Sequence, residues 1–246
     1  MHTTDSGRPN LRFGLFMPPY HNPRRNPTSF IEQDLRHVEE LDRLGYDEVW
    51  FGEHHSGGYE TIPSPEIMIA AASQRTRQID LCSGVISLPY HHPLMVADRI
   101  VFLDHLARGR VRIGVGPGAL VADSQMMGMD YNLLRPRMEE SLDALLELLD
   151  TPGPVNRKTE WFTLDDARLQ LSSYTRPRVR ISVAAALSPS GRSSPAATVS
   201  ACCPSAEPPS SRSTCSGEPG TSPQLRPRST ARRSSAASGR SSATCT

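Results

Sequence analysis

Ile79-Asp-Leu-Cys-Ser-Gly-Val-Ile86, the segment Leu94–Leu106 and Val111-Arg-Ile-Gly-Val115 follow one another with only short connections between them. The two apolar runs have strand length, and the segment between them is long and periodic enough for a helix. Strand, helix, strand in that order is a βαβ unit, which sets its two strands parallel in one sheet. The same alternation continues in both directions. Leu11-Arg-Phe-Gly-Leu-Phe-Met17 reads as a buried strand ended by Pro18-Pro19. Ser29-x-x-Glu32 makes a capping box, and Ile31, Leu35, Val38, Leu41 and Leu44 follow at helical spacing up to Gly45. Glu48–Glu53 is a second strand, and Pro65 opens a helix through Ile67–Ala72. Beyond the central unit, Arg135-Pro136 starts a helix with Met138, Leu142, Leu145 and Leu149 on one face. Arg180–Ala186 is a fifth strand.

Strands of this kind, apolar on both sides, suit a barrel or a doubly wound sheet. At 246 residues the chain has room for one α/β barrel or two small domains, and five βα units are just over half of an eightfold barrel. The expected fold class is α/β, cut short.

Composition breaks at Arg192. Residues 192–246 are mostly Ser, Arg, Pro, Ala, Thr and Cys, with no aromatic residue and only Val199 and Leu225 as large aliphatics. This stretch cannot bury enough apolar surface to offset chain entropy, so disorder is expected there. It is basic, but it has no Lys runs and no aromatic residues for base stacking, which speaks against a nucleic-acid arm. Four of the five Cys fall in it, leaving Cys82 alone in the globular part. Neither a disulfide framework nor a zinc site is indicated. The N-terminus lacks a basic region followed by an apolar one, and no run approaches membrane length. A reducing cytoplasm is the expected compartment.

If the sheet is a barrel, its chemistry belongs where strands end and loops begin. The second strand ends in Gly52-Glu-His-His-Ser-Gly57. A carboxylate beside two imidazoles can do acid–base work near neutral pH, or the histidines can be satisfied by loop carbonyls. Adjacent His54 and His55 on an extended segment point to opposite sides, which disfavours a shared metal. Gly114-Val-Gly-Pro-Gly118 after the fourth strand can bring backbone against a flat ligand or a phosphate, or simply form a tight turn. It matches neither nucleotide fingerprint. Arg135 and Arg137 can meet a phosphate or pair with Glu139 and Glu140. Ser188-Pro-Ser-Gly191 after the fifth strand is placed like a helix N-terminus open to an anion. His37 and His105 lie within helical patterns and read as structural.

Phe51-Gly-Glu-His-His55, Leu88-Pro-Tyr-His-His-Pro93, Leu103–Arg110, Gly114–Gly118 and Trp161-Phe-Thr-Leu164 occur in an order and spacing that resemble the luciferase-like flavin monooxygenases. The resemblance covers residues 11–191 and is nearest to members labelled limonene 1,2-monooxygenase. It implies a TIM (β/α)₈ barrel, here truncated after about five units. The implied activity is oxygenation of a small organic substrate, terpenes among the candidates, by O₂ and reduced FMN. A separate NAD(P)H-dependent flavin reductase would supply the FMN, and the family is usually dimeric. Carried onto this chain, the resemblance makes His54 the catalytic histidine, with Glu53 and His55 as neighbours. It places a non-prolyl cis peptide at Gly84-Val85 under the flavin ring and Gly116 facing the ring. Arg135, Ser188 and Ser190 fall near the phosphate positions.

The chain departs from the family at Arg192. A reading frame one base earlier permits an apolar, Gly-rich stretch in place of Arg192–Ala206 that is very like the family's continuation. The expected organisation is therefore a partial monooxygenase domain over 1–191 and a frameshifted translation over 192–246. Two alternatives stand beside the flavin reading: a deazaflavin-dependent hydride-transfer enzyme of the same superfamily, and an inactive remnant.

Overall fold

A computed structural model of the chain describes residues 11–18 and 20–184. Its centre is a five-stranded parallel sheet of β1 (Gly14–Met17), β2 (Glu48–Phe51), β3 (Asp80–Ser87), β4 (Val111–Gly116) and β7 (Arg180–Val183), in that spatial order. Helices α1 (Pro27–Leu44), α2 (Pro65–Ser73) and α3 (Pro93–Leu106) form the first three crossovers. The fourth is longer. It holds α4 (Val121–Met126), α5 (Leu134–Asp150) and an antiparallel pair, β5 (Val155–Lys158) with β6 (Thr163–Ala167). The tail over 192–246 and the last strand residues expected at 185–186 lie outside the described residues.

The apolar core lies between the sheet and the helices. Val49, Phe51, Leu81, Ile86, Ile113 and Val115 pack there with Val38 of α1, Ile69 of α2, Ile100 of α3 and Leu145 of α5. The opposite sheet face corrects the expectation of strands apolar on both sides. Glu48, Asp80, Arg112 and Arg180 stand at the strands' N-terminal ends. Asp80 accepts from both terminal guanidinium nitrogens of Arg180 at 2.9 Å and from one of Arg12 at 2.9 Å, with Arg112 at 3.5 Å. Glu48 accepts from Trp50 Nε1 at 3.0 Å. A partly buried charged layer survives because each carboxylate meets several donors.

Two further corrections concern α1. Its cap is Asn26, whose side chain accepts from the Thr28 amide at 2.9 Å, with Pro27 in the first turn. Ser29 and Glu32 already lie inside the helix, and Glu32 bonds Arg75 instead. Phe30 faces inward, stacked on His21 at 4.0 Å between ring centres, while Ile31 and Leu44 are exposed. Gly45 ends the helix in the left-handed region at φ 80°, as the stop signal implied.

Some residues of the family-like segments are structural ties. Asp104 is fully buried and accepts from the Thr175 amide and hydroxyl, pinning the segment that leads into β7. The Arg110 guanidinium donates to Ser73 O, Thr76 Oγ1 and Ile79 O, joining the end of α2 to the start of β3.

Candidate active site

The ends of β2 and β3 and the loops that follow them converge on Glu53. The chain leaves β2 at Phe51, and two residues later this carboxylate turns inward with its side chain 1% exposed. Its Oε1 accepts from His55 Nε2 at 2.9 Å and from His91 Nε2 at 3.2 Å, and its Oε2 accepts the Ser87 amide at 2.8 Å. A buried carboxylate without partners would be very costly. Burial pushes its proton affinity up, but the hydrogen bonds from His55 and His91 and the Ser87 amide outweigh this and bring the pKa down to about 2. Glu53 is thus ionised throughout the physiological range. Its hydrogen bond in turn raises the pKa of His55 against the opposing effect of burial. The His55 ring meets Tyr90 edge to face at 5.8 Å. The Tyr90 hydroxyl is buried without a hydrogen bond, and burial beside Asp123 and Glu53 pushes its pKa to about 12.

His54 points elsewhere, as alternation along an extended segment requires. Its amide donates to Ile62 O at 3.1 Å, and its buried Nδ1 lies 3.5 Å from both Glu60 Oε2 and Asp123 Oδ2. The site therefore presents two imidazoles in different settings, one fixed on Glu53 and one flanked by two carboxylates. Among the described residues no group of His, Cys, Asp and Glu could hold a metal ion.

Beyond this cluster β3 and β4 pack closely through glycines. The Gly84-Val85 peptide is cis, at the position the resemblance implied. The β3–β4 register shifts between Ser83 and Ile86. A Cβ on Gly114 would stand 2.2 Å from the Ser83 carbonyl oxygen, and one on Gly116 would stand 2.9 Å from a Val85 methyl. These glycines are needed for β3 and β4 to approach at all. Gly118, at φ 83°, lies against Tyr90, whose hydroxyl would be 2.4 Å from an added Cβ.

Glu53, His54 and His55 thus follow the C-terminal end of β2 and Gly116 ends β4, while Gly84 and Val85 lie in the C-terminal half of β3. Arg135 is exposed in the first turn of α5 and takes no part in the Glu53 contacts. Arg137 lies over the Trp161 ring at 5.7 Å, and Trp161 Nε1 donates to Glu140. Ser188 and Ser190 lie outside the described residues. Sequence reasoning missed Asp123 and Glu60, and it did not single out His91 as a partner of Glu53. His91 carried a signal, because it follows within one turn the strand whose Ser87 amide bonds Glu53.

The sequence profile of the luciferase-like monooxygenases matches residues 11–211. The chain belongs to the luciferase-like monooxygenase family. Within that family it is 49% identical over 189 residues to limonene 1,2-monooxygenase of Rhodococcus erythropolis, covering 77% of this chain and 48% of that protein. The chain spans about half the length of the curated relatives it matches. Among solved structures, the oxygenating constituent of 3,6-diketocamphane monooxygenase from Pseudomonas putida, in complex with FMN, superposes with a TM-score of 0.63. It is 26% identical, over 71% of this chain and 51% of that one. An F420-dependent secondary alcohol dehydrogenase shares the fold at a TM-score of 0.59 and 21% identity, over 71% of this chain and 52% of the other. Among the described residues no helix is long and apolar enough to cross a membrane.

Proposed function

We propose that this chain carries the flavin-facing part of a monooxygenase that uses reduced FMN and O₂ to oxygenate a small organic substrate. The observation that carries the reading is the buried Glu53 held by His55 and His91, with His54 beside it between two other carboxylates, after the β2 and β3 strand ends of a family member. The sheet is read as five-eighths of a (β/α)₈ barrel. The residues fit a cofactor with polar groups. Tyr90 Oη, beside His55 and the Gly118 turn, is a buried polar atom without a hydrogen bond and could meet one of them. Gly84, Val85 and Gly116 would hold the ring. Arg135, with Ser188 and Ser190, would hold the phosphate.

When bound, reduced FMN supplies the electrons for oxygen activation. The protein's part is to position and to handle protons. His54 holds or releases a proton at Nε2, while Glu53 fixes His55 and His91 and so keeps the loop after β2 against the end of β3. Tyr90 and the Gly118 turn close one side against water. A separate NAD(P)H-dependent reductase, a dimeric assembly and a cytoplasmic setting complete the reading. The substrate class we favour is terpene-like, because one strongly matching relative is named for limonene.

We further propose that residues 192–246 are a frameshifted translation and that activity is impaired in this chain. Sequencing the gene tests this, and a stop codon in the earlier frame within the tail would defeat it. The alternative hydride-transfer reading rests on the shared fold alone. Anaerobic binding of reduced FMN against reduced deazaflavin separates the two. Preference for FMN supports the monooxygenase, and preference for deazaflavin overturns it.

A further inference from the structure

His54 is held by neither of the groups next to it in sequence. Its Nδ1 is buried between Asp123 Oδ2 and Glu60 Oε2, each 3.5 Å away. That is beyond the usual N–H···O range, but a shift of about half an ångström would close either contact. The two carboxylates are not equivalent. Glu60 is shared, since its side chain hydrogen-bonds Tyr20 and its backbone bridges to the same residue. Asp123 is 2% exposed, sits in α4 and uses Oδ1 to accept the His55 amide at 3.2 Å, leaving Oδ2 to face His54.

We propose that Asp123, assisted by Glu60, is a positioning residue that keeps the His54 proton on Nδ1. The lone pair is then on Nε2, the ring nitrogen that is not buried against these carboxylates. A carboxylate set against one imidazole nitrogen selects the tautomer and the ring orientation at the other. This inference rests on the acid–base role given to His54 above, and it names what that role requires. It also gives a reason for a buried charge on a six-residue helix: the loops after β2 and β4 meet through it. A purely structural Asp123, tied only to the His55 amide, would leave the His54 tautomer unchanged when altered.

The test is ¹⁵N-histidine NMR of the 246-residue chain without flavin, at about pH 8.5, above the ordinary histidine range. The His54 signals are assigned by their loss in His54→Gln. His54 is expected to be about nine-tenths Nδ1–H in the parent and about half or less in Asp123→Asn, because an amide can donate to Nδ1. Asp123→Glu is expected to restore the parent tautomer, and Glu60→Gln to shift it less than Asp123→Asn. Should Asp123→Asn fail to fold by circular dichroism, Asp123→Glu and Glu60→Gln decide in the same way. An Nε2–H parent, or a tautomer unmoved in every folded variant, overturns the proposal. Failure of reduced FMN to bind a folded, frame-restored chain would count against the proposed function and leave this result standing.

Discussion

A carboxylate as buried as Glu53 would ordinarily pick up a proton, and here hydrogen bonds prevent it. This has a definite consequence for acid stability. The folded pKa of about 2 lies below the unfolded value near 4.5, so the contribution is present above about pH 4.5 and is lost as pH falls toward 2. The size is on the order of 3 kcal/mol. His55 runs the other way. Its folded pKa is raised, so its share is full below about pH 6.5 and fades as pH climbs through the folded value. The two shifts describe one ion pair and count once. Urea midpoints should therefore be highest for this pair at about pH 5.5 and lower at about pH 3 and pH 8. Glu53→Gln should flatten the profile, and an unchanged profile would contradict the assignment. For chemistry, His54→Ala in a frame-restored chain should lower turnover about 10²-fold or more, with flavin affinity little changed. Turnover within about twofold of the parent would remove His54 from the mechanism. At this scale the sequence showed Glu53, His54 and His55 because they are contiguous after an apolar run. Asp123 and Glu60 were silent, because nothing in their local pattern marks a carboxylate that is brought against His54 only by the fold.

Close approach of β3 and β4 depends on glycine. A methyl group at Gly114 would fall 2.2 Å from the Ser83 carbonyl, which is backbone and cannot swing away. Ser83 Oγ also donates to the Gly114 carbonyl at 2.9 Å, so the two strands are tied where the clash would occur. Gly114→Ala should cost about 3 kcal/mol or more, as an overpacked contact without a yielding partner. Gly153, with open space at its Cβ position, is the control, and Gly153→Ala should change stability by less than about 1 kcal/mol. Chemical denaturation of the two variants checks both, and similar stabilities would refute the packing argument. The parallel strands and long helices were legible because apolar periodicity is a local property. The pair β5–β6 was not, since its first strand reads Val-Asn-Arg-Lys and buries only Val155. The start of α1 was misplaced because two cap signals compete within four residues, and Asn26-Pro27 prevailed over Ser29-x-x-Glu32.

Across the whole molecule, the described sheet runs β1-β2-β3-β4-β7 and leaves β1 and β7 without further strand partners among the described residues. Phe16 and Leu15 of β1 are 44% and 41% exposed there. A closed eight-stranded barrel has no edges and would cover the face on which Trp50, Gly84 and the charged layer stand. The α/β class and its parallel sheet could be read from alternation alone. The charged inner face could not, because Glu48, Asp80, Arg112 and Arg180 are far apart in sequence and become one layer only through strand register. The site on β2, β3 and β4 is proposed to bind reduced FMN, more weakly in this chain than in a frame-restored one. Anaerobic titration of the purified 246-residue chain with reduced FMN, beside a frame-restored chain, tests it most directly. Micromolar binding by the frame-restored chain and binding weaker by about tenfold or more in the present one are expected, about 1.4 kcal/mol or more. Equal micromolar binding by both would show that nothing is missing, and no binding by a folded frame-restored chain would contradict the flavin site itself.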